Sequence, residues 1–127
     1  MSSNKFSIEY PINTSVKVLF QRLSTVSGLS EWFADNVSIQ NNILTFYWEN
    51  SSDQATIIKQ VKNKLIRFQW IDDHGTDNYF EFQIMVDEIT KDIALIIIDF
   101  AEDEDEKEES INLWNSQINN LKKLIGG

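Results

Sequence analysis

The side chains in this sequence with chemistry to offer are few and scattered. The one histidine, His74, lies in Asp72-Asp73-His74-Gly75-Thr76-Asp77, where an imidazole beside Asp73 and Asp77 could act as a base or help hold a metal. The run lacks the regularly spaced oxygen ligands and closing glutamate of a calcium loop, so it reads as a solvated hairpin tip with no metal. Cysteine is absent, which removes disulfides, thiolate metal sites and thiol nucleophiles. There is no Gly-x-Ser-x-Gly elbow and no phosphate-cradling glycine loop. Carboxylates are plentiful, but nearly all fall in loops, on wet strand faces or in one acidic run, away from the facing arrangement acid–base catalysis needs. The sequence therefore predicts no catalytic residue, no cofactor and no enzymatic activity.

What the chain has in quantity is aromatic carbon. Four Trp and eight Phe in 127 residues are too many bulky rings for a disordered chain and have to be housed in a core. The rings expected to share one interior space are Phe46, Trp48, Phe68, Trp70, Phe82 and Trp114. Ile118 joins them from the same helix face as Trp114, and Trp32 and Phe33 stand near one open end. These nine are the candidate lining of a small apolar cavity, since small-molecule pockets are mostly apolar with a few placed polar groups. The alternative for each is plain core filling. Tyr10, Tyr47 and Tyr79 could each offer a hydroxyl, although Tyr47 has the parity of a wet face.

Those rings have to be positioned by strands and a helix. Ile111, Trp114, Ile118, Leu121 and Ile125 recur at steps of three and four, which puts them on one face of a helix spanning Glu106 to Gly127. Upstream, Phe6, Ile8 and Tyr10 alternate as a strand that Pro11 is expected to stop. Asn13 or Thr14 then caps a helix carrying Val16, Leu19, Phe20 and Leu23. Ser24 to Gly28 is expected to break that helix, with a second short one over Leu29 to Phe33.

From Val37 the period changes to two, as in an antiparallel meander. Its strands are Val37–Gln40, Ile43–Glu49, Ala55–Val61, Leu65–Ile71, Tyr79–Ile89 and Ile93–Phe100, with Asn50–Asp53 read as a loop. The inward parity is taken as Leu44, Phe46 and Trp48; Ile66, Phe68 and Trp70; Phe80, Phe82, Ile84 and Val86; Ala94, Ile96, Ile98 and Phe100. Arg67, Glu81, Gln83 and Asp99 fall on the other, wet parity. Lys59 is the one charged side chain at an inward position, expected to reach out at a sheet margin.

Eleven Lys and Arg against twenty Asp and Glu leave a formal charge of -9, which argues against nucleic acid or an anionic membrane as partner. Seven carboxylates between Glu102 and Glu109, against Lys107 alone, hold six of those nine charges. They suit the start of the last helix, as Lys122 and Lys123 suit its end. Glu104, Glu106, Glu108 and Glu109 are the candidate docking residues for a basic protein partner. Ile93 to Ile98 is the longest apolar run, far short of the ~20 residues of a membrane span. No secretory signal is visible at the start, so the Asn-x-Ser triplets at Asn13, Asn36 and Asn50 read as chance and a cytoplasmic location is expected.

The order strand, split helix, six-stranded meander, long C-terminal helix resembles the START-like (SRPBCC) superfamily, in which a sheet curls around the final helix. Leu29-Ser30-Glu31-Trp32-Phe33, Phe46-Tyr47-Trp48, Leu65-Ile66-Arg67-Phe68-Gln69-Trp70 and Trp114 resemble the branch homologous to the activator of the heat shock protein 90 ATPase. The resemblance spans nearly the whole chain and implies one α+β helix-grip domain over residues 1–127. It comprises a seven-stranded antiparallel curved sheet, two short helices after strand one and a long C-terminal helix. It also implies a cavity between sheet and helix for a lipid-like or other hydrophobic small molecule, held without catalysis. The alternative is a co-chaperone-like interaction module with a packed core and an acidic docking surface. Cyclase or dehydratase chemistry, known in the wider superfamily, ranks third. The chain departs from the branch in having only four Gly and one Pro, and in the density of its acidic run.

Overall fold

The computed structural model describes residues 3–126. Strand β1 (Asn4–Ile12) leads into helices α1 (Val16–Ser24) and α2 (Val26–Leu29). Six strands follow: β2 (Asn36–Gln40), β3 (Ile43–Trp48), β4 (Ser51–Val61), β5 (Leu65–Trp70), β6 (Phe80–Val86) and β7 (Ile93–Ala101). Helix α3 (Glu104–Ile125) closes the chain. All seven strands form one antiparallel sheet in the order β1-β7-β6-β5-β4-β3-β2. The expected α+β helix-grip fold is the one observed.

Local chemistry explains the boundaries. Pro11 does not stop β1, because β1 is an edge strand and a proline there breaks no ladder that the sheet needs. Ser15, not Asn13 or Thr14, caps α1 by accepting the Val18 N–H at 3.1 Å. The second helix lies earlier than expected, at Val26–Leu29, because Thr25 caps it by accepting the Gly28 N–H at 2.9 Å. Gly28 permits the tight corner: a Cβ there would sit 2.7 Å from both the Arg22 Cα and the Thr25 Oγ1. Residues 30–33 are turns rather than helix. Asn41 and Asn42 both have positive φ, 52° and 67°, as a two-residue hairpin between twisted strands requires.

Two differences from the expected pattern reposition side chains. First, β4 starts at Ser51, four residues before the expected Ala55, so Ser51 pairs with Trp48 and Asp53 with Phe46. Directly paired residues share a sheet face, which places Ser51 and Asp53 on the face toward α3. Second, the inward residues of β7 are Leu95 and Ile97, both fully buried, with Asp99 and Ala101. Ala94, Ile96, Ile98 and Phe100 point outward and are half-buried. A run apolar on both parities carries no period-two signal; pairing with β1 and β6 decides its face. A bulge between Ile57 and Lys59 shifts the end of β4, and Lys59 is exposed.

The outer face is less wet than its parity suggested. Glu81 is buried there, accepting from Arg67 Nε at 2.6 Å and from Gln83 Nε2 at 2.6 Å. The Arg67 guanidinium also lies 4.1 Å from the Tyr79 ring centroid. An ion pair inside a sheet face is stable only when its other donors and acceptors are met, and these contacts meet them.

Helix α3 buries Trp114, Ile118 and Leu121 fully and Ile111 and Ile125 in part. Trp114 meets Phe82 at 5.7 Å, Phe33 at 5.9 Å and Phe80 at 6.0 Å between ring centroids. Gly126, at φ 76°, ends the helix in the left-handed conformation, while Gly127, the expected last helical residue, lies outside the described residues. Trp114→Ala is expected to cost about 3–5 kcal/mol by emptying this centre. Urea unfolding of the variant checks it, and a loss below about 1 kcal/mol, the scale of surface sites, would contradict the placement of α3.

Candidate functional site

The nine residues proposed from sequence as cavity lining divide into three groups. Phe46, Phe68, Phe82 and Ile118 are at most 1% exposed and border no hollow; they are packed ring on ring, with Phe68 stacked on Phe80 at 4.9 Å and Phe33 against Phe46 at 5.0 Å. Phe33, Trp48, Trp70 and Trp114 border a hollow of about 410 Å³ between the sheet and the first half of α3. Trp32 borders a second, shallower hollow of about 680 Å³ outside α3, which Phe33 and Trp48 also reach. Its indole N–H donates to the Arg22 carbonyl at 2.9 Å, so it holds the α1–α2 corner as well.

The smaller hollow has polar residues that parity reasoning missed. Ser51 and Asp53 enter from β4, Asp99 from β7, and Ser110 and Gln117 from α3. The early start of β4 and the reversed face of β7 bring the first three in. The available signal was Asp99 itself: a carboxylate in an otherwise unbroken apolar run, fifteen positions before a tryptophan whose N–H requires an acceptor.

Asp99 is the polar centre of the helix–sheet contact. Its Oδ2 accepts from Trp114 Nε1 at 2.9 Å and from Ser110 Oγ at 3.3 Å, and its Oδ1 accepts from the Phe100 N–H at 2.8 Å. Ion pairs among the described residues join Arg22 to Glu31 and Arg67 to Glu81; none reaches Asp99. Burial pushes its carboxyl above the usual value of 3.8, with Asp73 adding repulsion, against the three donors. Asp73, at the end of the 3-10 turn Ile71–Asp73, is itself raised by burial and by Asp72.

The two hollows share Phe33, Trp48, Leu113 and Gln117 in their linings, and three of these form a clasp. The Phe33 carbonyl accepts from Trp48 Nε1 at 3.1 Å and from Gln117 Nε2 at 3.1 Å. One carbonyl thus joins the loop after α2 to β3 and to α3. Gln117 stands one turn after Trp114 and Ser110 one turn before it, so all three face the sheet.

The remaining candidates sit elsewhere. Glu104, Glu106, Glu108 and Glu109 are all exposed at the start of α3, where Asp103 caps the helix by accepting the Glu106 N–H at 2.8 Å. His74 is exposed, 3.5 Å from Thr56 Oγ1. Among the described residues no three His, Cys, Asp or Glu side chains stand together as a metal site, and no helix is long and apolar enough to cross a membrane. Tyr10 lies away from the hollow, its hydroxyl donating to Asn115 Oδ1 at 2.6 Å.

A sheet that grips its C-terminal helix, with an open pocket at one end of the contact, defines the architecture of a ligand-binding or protein-binding module. A family model described as a START-like superfamily domain matches residues 1–127, and the chain belongs to that family. It is similar to the solution structure of BfR322 from Bacteroides fragilis, at 36% identity over 98% of this chain and 92% of that one, with a TM-score of 0.69. It shares its fold with the Aha1 dimer from Colwellia psychrerythraea, at 17% identity, 96% coverage of both chains and a TM-score of 0.80. The same holds for the AHSA1-like protein from Aeromonas hydrophila, at 12% identity, covering 94% of this chain and 90% of that one, with a TM-score of 0.73. A comparison with curated proteins finds no match.

The raised Asp99 carboxyl carries a stability signature. A group raised in the fold contributes stability below its unfolded value, and that contribution is lost as pH rises through the folded value. Asp99→Asn removes this titration, at the constant penalty of one lost acceptor. The stability of the variant relative to the parent is therefore expected to increase between pH 3 and pH 7, read from urea midpoints. A gap that stays level across that range would mean that Asp99 is not buried as described.

Proposed function

We propose that this chain is a non-enzymatic binding module whose ligand, a small and largely apolar molecule, enters the hollow beside Trp48, Trp70 and Trp114. The observation that carries this reading is the contrast between the centre of the grip, which rings fill, and a hollow of about 410 Å³ beside the first half of α3. That volume lies in the range of small-molecule pockets and is small for a long-chain lipid. An interior held without cysteine suits a cytoplasmic setting.

Native mass spectrometry and NMR of the four indole N–H groups test this. Stoichiometric uptake of a small hydrophobic probe should move the Trp48, Trp70 and Trp114 signals and leave Trp32 in place. Ser51→Trp, at an exposed position on the rim, should fill the hollow and abolish uptake with the fold intact. Uptake that survives this change, or shifts confined to Trp32, would refute the site.

One observation favours a second reading, a protein-interaction module. The exposed Glu104, Glu106, Glu108 and Glu109 join no ion pair among the described residues, so their charge is free for a basic partner. Changing all four to Gln should weaken co-purification of such a partner at low salt, and raising the salt should do the same to the parent. Binding indifferent to both would exclude this surface.

A further inference from the structure

We propose that the molecule held beside Trp48, Trp70 and Trp114 is an organic cation, an ammonium group on an apolar body, with its charge met by Asp99 and Asp53. The inference rests on the pocket reading above and adds the sign of the ligand's charge. Three features of the hollow lead to it.

The wall is rich in indole rings. Trp70, which lies 4.9 Å from Phe80 between ring centroids, borders the hollow together with Trp48 and Trp114. Indoles offer the most favourable ring faces to an ammonium group, and three of them border this one space. The charged residues of the wall are carboxylates only: Asp99 at the base and Asp53 at the exposed rim. Asp73 acts on Asp99 from the neighbouring turn with the same sign. On α3, the Lys107 Nζ lies 5.9 Å from the centroid of the Phe6 ring and makes no ion pair within 4.0 Å among the described residues.

The site is thus a partly desolvated carboxylate beside indoles, with no ion-pair partner among the described residues. An anionic ligand would meet uncompensated negative charge on entering, and a neutral one would leave Asp99 as it is. An ammonium ion supplies the missing partner, and its apolar body covers the rings. A metal ion fits poorly, since no three ligating side chains converge and the lining offers more ring than oxygen. The larger hollow outside α3 differs in having Lys123 beside Glu31 and Asp35, so it has no such bias.

Three probes with one benzene ring and three charges test the proposal: 2-phenylethylammonium, 2-phenylethanol and 3-phenylpropionate. Each is titrated into the full chain while the indole N–H signals are followed. The amine is expected to bind about tenfold or more tightly than the alcohol, moving Trp48, Trp70 and Trp114, and the acid is expected not to bind. Asp53→Asn, at an exposed position where folding is not at stake, should reduce the preference several-fold, and Asp99→Asn should bring the amine to the affinity of the alcohol. If the alcohol binds the parent as tightly as the amine does, the charge inference fails and the pocket reading stands. If all three probes are silent at millimolar concentration, both fail together.

Discussion

The seating of Trp114 over Asp99 is the contact on which the rest of the structure depends. Burying the apolar stripe of α3 stabilises the fold, but apolar burial is roughly proportional to area and has little directional preference. A stripe of Ile, Trp, Ile, Leu and Ile could slide or roll over an aromatic sheet at small cost. The indole N–H to Asp99 at 2.9 Å, with Ser110 on the same oxygen and Gln117 on the Phe33 carbonyl, sets both the height and the rotation of the helix. Three polar residues at spacings of four and three thus convert a general attraction into one position.

That position also determines where the interior is full. Phe33 is carried inward by the turns after α2 and meets Trp114, Phe80 and Phe46 at 5.9, 5.8 and 5.0 Å. It occupies the middle of the grip. Its carbonyl, shared by Trp48 and Gln117, keeps the loop from swinging away. What remains open is the end bounded by the short β3–β4 turn and the 3-10 turn after β5. The aromatic packing that stabilises the centre therefore creates a pocket at the margin.

The fold was legible in the sequence because its signals are long and redundant. The α3 stripe repeats over about four turns, Asn41-Asn42 is a pair that tolerates the positive φ of a tight hairpin, and Thr45, Arg67 and Gln69 separate the apolar residues Leu44, Phe46, Ile66, Phe68 and Trp70. The pocket was legible only as rings. Its polar half depends on two local facts that periodicity does not carry. Ser51, Ser52 and Asp53 look like turn residues, yet the two-residue turn at Glu49-Asn50 already reverses the chain, so they extend β4. In Ile93 to Ile98 both parities are apolar, and the face of Asp99 is decided by the register with β1 and β6. The buried Glu81 shows the converse: its parity predicted the outer face correctly, but not the cover that Arg67, Gln83 and Tyr79 provide.

Why a carboxylate should stand at position 99 follows from counting donors. The Phe100 N–H, the Trp114 N–H and the Ser110 hydroxyl all point at this side chain, and they approach both of its oxygens. An asparagine offers one acceptor oxygen and would turn its amide against a donor, leaving a buried polar group unmet at a cost of about 1–3 kcal/mol. A hydrophobic residue would offer the Trp114 N–H no acceptor at all. A carboxyl group meets this contact with two oxygens, and when it ionises it brings a negative charge that burial opposes. That charge is a by-product of hydrogen bonding, and no Lys or Arg among the described residues pairs with it. The carboxyl that anchors the helix also borders the hollow beside Trp114, so the helix anchor and the proposed ligand preference have the same physical origin.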